Sequence, residues 1–238
     1  MQDKWDDSEF VRKWDVTANE GNPSRSEHVS LIVSLLRHNS GSGERVLDIG
    51  IGSAQIEAEF FHEWSDVEFV GIDYSEAMLA LVRSRLDALR ISGSQCALIQ
   101  ADILDASTLN FADASYKNVL SVQTLHHLPF EKQRAIYRQV YRLLQPGGWF
   151  ILADRVAIGQ QELGGVHEVM WDWLEMRAPV KSGWSGHQFI TRFDGKDEQP
   201  MRLEEQLTSL REAGFMAACI HLVLNRGVFV GVKAERRG

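Results

Sequence analysis

Through the middle of the chain, short apolar runs alternate with stretches in which apolar residues recur every three or four positions. That rhythm predicts strands separated by helices, the pattern of a parallel sheet covered on both faces. Arg45–Ile49 is nearly continuous in apolar character, as a doubly buried strand must be. Further strands are predicted at Val67–Ile72, Cys96–Gln100, Tyr116–Val122 and Trp149–Asp154, the last entered through the turn Gln145-Pro146-Gly147-Gly148. Helices are predicted from Ser53 to about Trp64, from a Ser75 cap to about Leu89, over Phe130–Leu144, and near Met201–Ala213. Two closing runs, Ala217–Leu224 and Val228–Lys233, flank Asn225-Arg226-Gly227 and predict an antiparallel hairpin. The expected fold is a three-layer Rossmann-like α/β sandwich with a seven-stranded, mostly parallel sheet.

Two segments fall outside that rhythm. Residues 1–38 read as an N-terminal helical cap of two helices, the second starting near Ser24, ahead of a main domain over 39–238. Within that domain, residues 157–199 have a helical centre, Val166–Met176, and little strand character. Connections in compact domains typically run to about 2–6 residues, so this insertion reads as a lid or substrate cap. Trp5, Trp14, Trp171, Trp173 and Trp184 all lie in these two segments. They are expected either to cover the cleft or to pin the appendages onto the core.

The sharpest chemical signal is Val46-Leu47-Asp48-Ile49-Gly50-Ile51-Gly52-Ser53-Ala54, a buried strand that meets an acidic residue and turns through two glycines. Glycine there permits torsions closed to other residues and lets backbone approach a ligand. A dinucleotide loop would carry a third glycine where Gln55 stands. Asp48, with no Lys or Arg in the loop to offset it, would repel a pyrophosphate. An amino-acid-like ligand with a cationic end suits it better. Asp73 ends the next strand in Gly71-Ile72-Asp73-Tyr74-Ser75, where a carboxylate can accept ribose hydroxyls. Asp102, after the third strand, can accept from an adenine amino group.

Net charge narrows the partners. At −8 over 238 residues, the chain lacks the basic excess that nucleic-acid binding usually brings. Cys96 and Cys219 are too few and too distant for a disulfide framework or thiolate cluster, which fits a reducing cytosol. No run approaches a membrane span in length, so neither export nor insertion is expected. Nor is a metal, because His167 and His187 lack supporting ligands at metal spacing. A homodimer is compatible with all of this.

In order and spacing, these motifs resemble the class I S-adenosylmethionine-dependent methyltransferases over about residues 40–155. The likeness extends through Ser121-Val122-Gln123-Thr124-Leu125-His126-His127-Leu128, Leu143-Leu144-Gln145-Pro146-Gly147-Gly148-Trp149 and a similar tail. The departure is Ala54, where the family often has another glycine. The resemblance implies S-adenosylmethionine as cofactor. Asp48, Gly50 and Gly52 would hold its methionine part, Ser121 would touch it, and Arg25 would pair with its carboxylate. Asp73 would take the ribose, Tyr74 and Met78 would flank the adenine, and Asp102 and Ile103 would edge it. His126 and His127 are candidate general bases for an acceptor hydroxyl, and Asp154 is a candidate to orient the ring. Adjacent histidines at a strand end are expected to send only one ring into the cleft. The leading expectation is methyl transfer to a small apolar or aromatic acceptor, most readily at oxygen. The rivals are a cofactor-modifying enzyme resembling carboxy-S-adenosylmethionine synthases, a non-catalytic binding module, and, fourth, nucleic-acid methylation.

Overall fold

A computed structural model of the chain describes residues 4–18, 24–64, 66–105, 108–157, 163–178, 181–191 and 198–235. Residues 22 and 23 before Arg25, and 158–162, 179–180 and 192–197 of the insertion, lie outside the described residues. The strands are β1 (Arg45–Ile49), β2 (Glu68–Asp73), β3 (Cys96–Gln100), β4 (Tyr116–Val122), β5 (Leu144–Arg155), β6 (Met216–Val223) and β7 (Arg226–Val232). They form one sheet in the order β3-β2-β1-β4-β5-β7-β6. The first five are parallel, and β7 runs antiparallel to both β5 and β6.

The helices are α1 (Ser8–Thr17), α2 (Arg25–Asn39), α3 (Gln55–Phe61), α4 (Glu76–Ala88), α5 (Phe130–Leu143), α6 (Gly164–Arg177), α7 (Gly186–Thr191) and α8 (Leu203–Glu212). None of the described helices is long and apolar enough to cross a membrane. Alternation along the strands feeds two cores. Leu47, Ile49, Val119, Phe150 and Leu152 join Tyr137 and Val140 of α5 and Leu210 of α8 on one face. Val46, Leu120 and Ile151 join Ile32 and Leu36 of α2, Phe60 of α3 and Leu79 of α4 on the other.

Several boundaries differ from the sequence pattern for local reasons. β5 begins at Leu144, because the Pro146-Gly147-Gly148 turn is itself paired. Gly147 donates its N–H to the Lys233 carbonyl at 2.9 Å, and Lys233 returns one to Gly148 at 3.0 Å. The strand–helix turn after β1 is longer than its apolar pattern suggests, so α3 starts at Gln55, after Ala54 in a left-handed conformation (φ 52°). Ser75 does cap α4, its hydroxyl accepting from the Met78 N–H at 2.9 Å. α6 and α7 pack on each other, with Trp171 stacked on Phe189 at 3.7 Å between ring centres.

Asn118 ties the end of α2 into the sheet. It is fully buried on β4, donates to the Ser40 hydroxyl at 2.8 Å and accepts from the Asn39 side chain at 2.8 Å. Replacing it strands both partners, and an unsatisfied buried group costs roughly 1–3 kcal/mol. Asn118→Ala is expected to lower the thermal midpoint by several degrees in a scanning calorimeter, while Ser34→Ala on the exposed side of α2 leaves it unchanged.

Candidate functional site

β1 lies between β2 on one side and β4 on the other, so chain connections diverge at its carboxyl end and leave a crevice there. A cleft of about 640 Å³ occupies that crevice, within the range of small-molecule sites. Its floor is the turn after β1. Gly50 (φ 77°) and Gly52 (φ 53°) both occupy the left-handed region. The N–H groups of Gly50 and Ile51 donate to the Ile72 carbonyl at 2.8 and 3.0 Å, locking the turn onto β2. A Cβ on Gly50 would lie 2.3 Å from the Thr124 hydroxyl oxygen, so only glycine lets these two turns meet.

Asp48, Gly50, Gly52, Asp73, Tyr74, Met78, Asp102 and Ile103 all line this cleft. Asp73 accepts from the N–H of Gly52 at 3.1 Å and of Ser75 at 3.0 Å, which fixes its carboxylate across the floor. Burial raises its pKa, and these backbone donors oppose the rise. Asp102 turns one oxygen to the Leu104 N–H at 2.8 Å. Tyr74 is exposed and Met78 buried, on opposite sides of the Ser75 cap. Ser121 stands apart from the other expected contacts. Its hydroxyl donates to the Ile49 carbonyl at 2.8 Å inside the sheet, and it is absent from the cleft wall. Val122 at the end of β4, and Gln123 and Thr124 beyond it, reach the cleft instead.

At the floor lies a group the sequence reading passed over. Glu57, on the first turn of α3, is 0% exposed and interacts with the carboxyl group of Asp48. Burial lifts the Glu57 pKa to about 7. Burial, then the Glu57 charge, holds Asp48 well above the usual carboxylate range. The signal in the sequence is an acid on the same helix face as Ile56 and Phe60, where an apolar residue belongs.

The opposite wall carries the two histidines. They sit on a 3-10 turn, Leu125–His127, and not on the strand end the sequence suggested. That tighter turn brings both rings to the cleft, tilted by 39° with centres 4.0 Å apart, which corrects the expectation that only one would face it. His126 is 1% exposed, and its Nδ1 contacts the Asp154 carboxylate. Asp154 is held in turn by the backbone N–H groups of His126 at 3.0 Å and Arg155 at 2.8 Å. With Nδ1 engaged, Nε2 of His126 is buried without a hydrogen-bond partner. The His127 pKa is lowered to about 4, first by burial and then by His126, so its ring is neutral at pH 7.

Glu198, from the end of the insertion, approaches both rings and forms an ion pair with Arg155. Burial works to raise its pKa, but Arg155 and the histidines outweigh it and leave it lowered. His126, His127 and Glu198 bring ligand atoms within 4.8 Å of one another, the one such group among the described residues.

The N-terminal segment covers the cleft. Trp5, Phe10 and Trp14 form an edge-on cluster at its mouth, and the Ser75 hydroxyl donates to the Trp5 carbonyl at 2.5 Å. Arg25 lines the same mouth, its guanidinium 5.3 Å from the centre of the Trp14 ring, and burial lowers its pKa. Of the tryptophans in the insertion, Trp171 is buried against Phe189, while Trp173 and Trp184 are exposed. None of the three lines the cleft, and of the described residues of the insertion only Glu198 does. No periodicity in the sequence marks Glu198 or Arg226 as lining the cleft with the histidines, since long-range topology brings them there.

A methyltransferase-domain family matches residues 46–148, which hold the glycine turn and both histidines. A carboxy-S-adenosyl-L-methionine synthase of Nautilia profundicola is 18% identical over 88% of this chain and 85% of its own length. Among solved structures, an O-methyltransferase family protein from Burkholderia thailandensis aligns with a TM-score of 0.66 at 13% identity, over 93% of this chain. This chain spans 59% of that protein's length. A magnesium protoporphyrin IX methyltransferase from Synechocystis PCC 6803, solved with bound SAH, aligns with a TM-score of 0.61 at 16% identity, over 90% of this chain and 84% of its own.

His28, on the α2 wall of the cleft, supplies a pH test. Its Nε2 meets Nδ1 of His221 at 3.0 Å, and burial, then His221 and Arg226, lowers its pKa to about 4. Between pH 6.5 and 4 the unfolded chain takes up a proton that the folded chain refuses. The stability this group contributes is therefore present above pH 6.5 and lost as pH falls through 4. The stability difference between wild type and His28→Gln, from urea denaturation, is expected to shrink by roughly 1–2 kcal/mol between pH 7 and 4.5.

Proposed function

We propose that this chain is a class I S-adenosylmethionine-dependent methyltransferase that methylates an oxygen of a small apolar or aromatic acceptor, with His126 taking the acceptor's proton. The observation that carries this reading is the His126–Asp154 pair, with its one buried, unpartnered nitrogen at a cleft wall.

The cleft suits the cofactor. The oxygen Oδ1 of Asp48 is buried without a hydrogen-bond partner, a place for a cationic amino group. Gly50 and Gly52 present backbone without a Cβ, and the fixed carboxylate of Asp73 suits a pair of ribose hydroxyls. Tyr74 and Met78 would flank the adenine, Asp102 and Ile103 would edge it, and Arg25 stands at the mouth for the carboxylate. When bound, S-adenosylmethionine supplies a methyl group on a positively charged sulfur. The protein's own part is to hold the acceptor in line and keep water out, and alignment is itself a large share of such a rate.

Asp154 accepts the Nδ1 proton of His126 and so keeps the lone pair at Nε2, which receives the acceptor's hydroxyl proton. Trp5, Phe10 and Trp14 give the mouth the apolar, aromatic character that favours a flat or hydrophobic acceptor.

A second reading, chemistry on the cofactor itself, draws on the relatives named carboxy-S-adenosyl-L-methionine synthase that match nearly the whole chain. It requires a cation for an anionic co-substrate. Arg155 is turned to Glu198, and Arg226 donates to Gln123 at 2.6 Å, which weighs against it.

Asp73→Ala is expected to weaken calorimetric binding of S-adenosylmethionine at least tenfold. His126→Ala and Asp154→Asn are expected to keep that binding and lower turnover by about 10²- to 10⁴-fold. Full turnover in both variants removes His126 from the chemistry. Mass spectrometry of the spent cofactor separates the two readings: S-adenosylhomocysteine marks methyl transfer, and a cofactor gaining a carboxyl group marks the second.

A further inference from the structure

The mechanism above leaves one buried acid without a task. Glu57 is fully enclosed, it does not line the cleft, and beyond Asp48 and its own backbone N–H no group offers its carboxyl a donor. It stands behind Asp48, whose own Oδ1 is without a donor and which does face the cleft. Two enclosed carboxyl groups in contact cannot both carry charge unless a cation joins them.

Among the described residues no cation pairs with either acid: Lys4, which lines the same cleft, lies over the Trp5 and Phe10 rings. From β2, Asp73 adds a like charge, and from β3, Cys96 is a neutral thiol whose ionisation the two acids suppress further. Arg85 on α4 is directed to the Ser53 carbonyl and to Asp15. Arg37 on α2 is directed to Glu63 and to the carbonyls of Glu59 and Phe60. Arg25 lies over Trp14 at the mouth, and His28 on α2 is neutral at pH 7.

We propose that Glu57 is a positioning residue that shares one proton with Asp48 in the free protein, and that a ligand ammonium group docking on Asp48 expels that proton. The inference rests on the reading that Asp48 receives the amino group of the cofactor. Before binding, the shared proton holds the two acids together and keeps the floor from repelling itself. On binding, the ammonium takes over the neutralising role, the proton leaves through the cleft to solvent, and no covalent bond changes. The burial that lifts Glu57 to about 7 puts this exchange in the physiological range.

The test is calorimetric titration of the full chain with S-adenosylhomocysteine at pH 6.5, repeated in buffers of different ionisation enthalpy. At that pH a free amino group is already protonated, so the ligand takes up little (α-amino pKa about 7.7–8.0). Wild type is expected to release between about half a proton and one proton per ligand bound, and its affinity to fall by up to tenfold per pH unit below 7. Glu57→Gln keeps the shape and can donate an amide N–H to Asp48. It is expected to bind with no proton release and with affinity flat between pH 6 and 7.

Binding with equal proton release in both proteins, or with none in wild type, overturns the role of Glu57 and leaves the cofactor reading intact. Failure of wild type to bind at all overturns the cofactor reading, and the proposal with it. Should Glu57→Gln not fold, Glu57→Leu, apolar and of similar volume, takes its place with the same expectation of no proton release.

Discussion

Where β1 ends, the backbone turns through Gly50 against the side chain of Thr124, and no Cβ fits between them. This close approach fixes the distance between the two halves of the cleft. On one side it holds the glycine turn against β2, so that Asp48 and Asp73 face a common space. On the other it sets the start of the 3-10 turn that carries both histidines. Widening it by one methyl group would push apart the wall that carries Asp48 and Asp73 and the wall that carries the two histidines. The geometry of the site is in this sense a property of one van der Waals contact.

Charge on the two sides of that contact is managed in opposite ways. On the β1 side, acids gather with no described cation paired to them, and burial raises their pKa values. On the β5 side, Asp154 is surrounded by backbone donors and an imidazole, and Glu198 is offset by Arg155. One wall is therefore short of positive charge and the other is balanced. A ligand with a cationic end has a preferred orientation before any shape is considered.

Strands and helices of the core were legible in the sequence because their burial is periodic: β1, β3 and β4 end where their apolar runs end. The same holds for Asp48, Gly50, Gly52 and Asp73, which sit at strand ends that share one sheet edge. Legibility stopped where contact depends on distant segments. Glu57 broke the apolar face of its helix without announcing a partner. Ser121 occupied a plausible position in the motif, but the pleat of β4 turned its hydroxyl into the sheet. The tryptophans divided by segment, those of residues 4–18 closing the cleft and those of the insertion remaining off it, and composition carries no information about that division.

The placement of β7 between β5 and β6 also has a consequence for synthesis. The five parallel strands can assemble as they leave the ribosome, each beside one already made or soon to follow. The strand that flanks β5, and brings Arg226 to the cleft, is translated after all five parallel strands. A nascent chain therefore completes the turn after β1 well before the cleft wall that carries Arg226, and its edge along β5 stays open to other strands until β7 emerges.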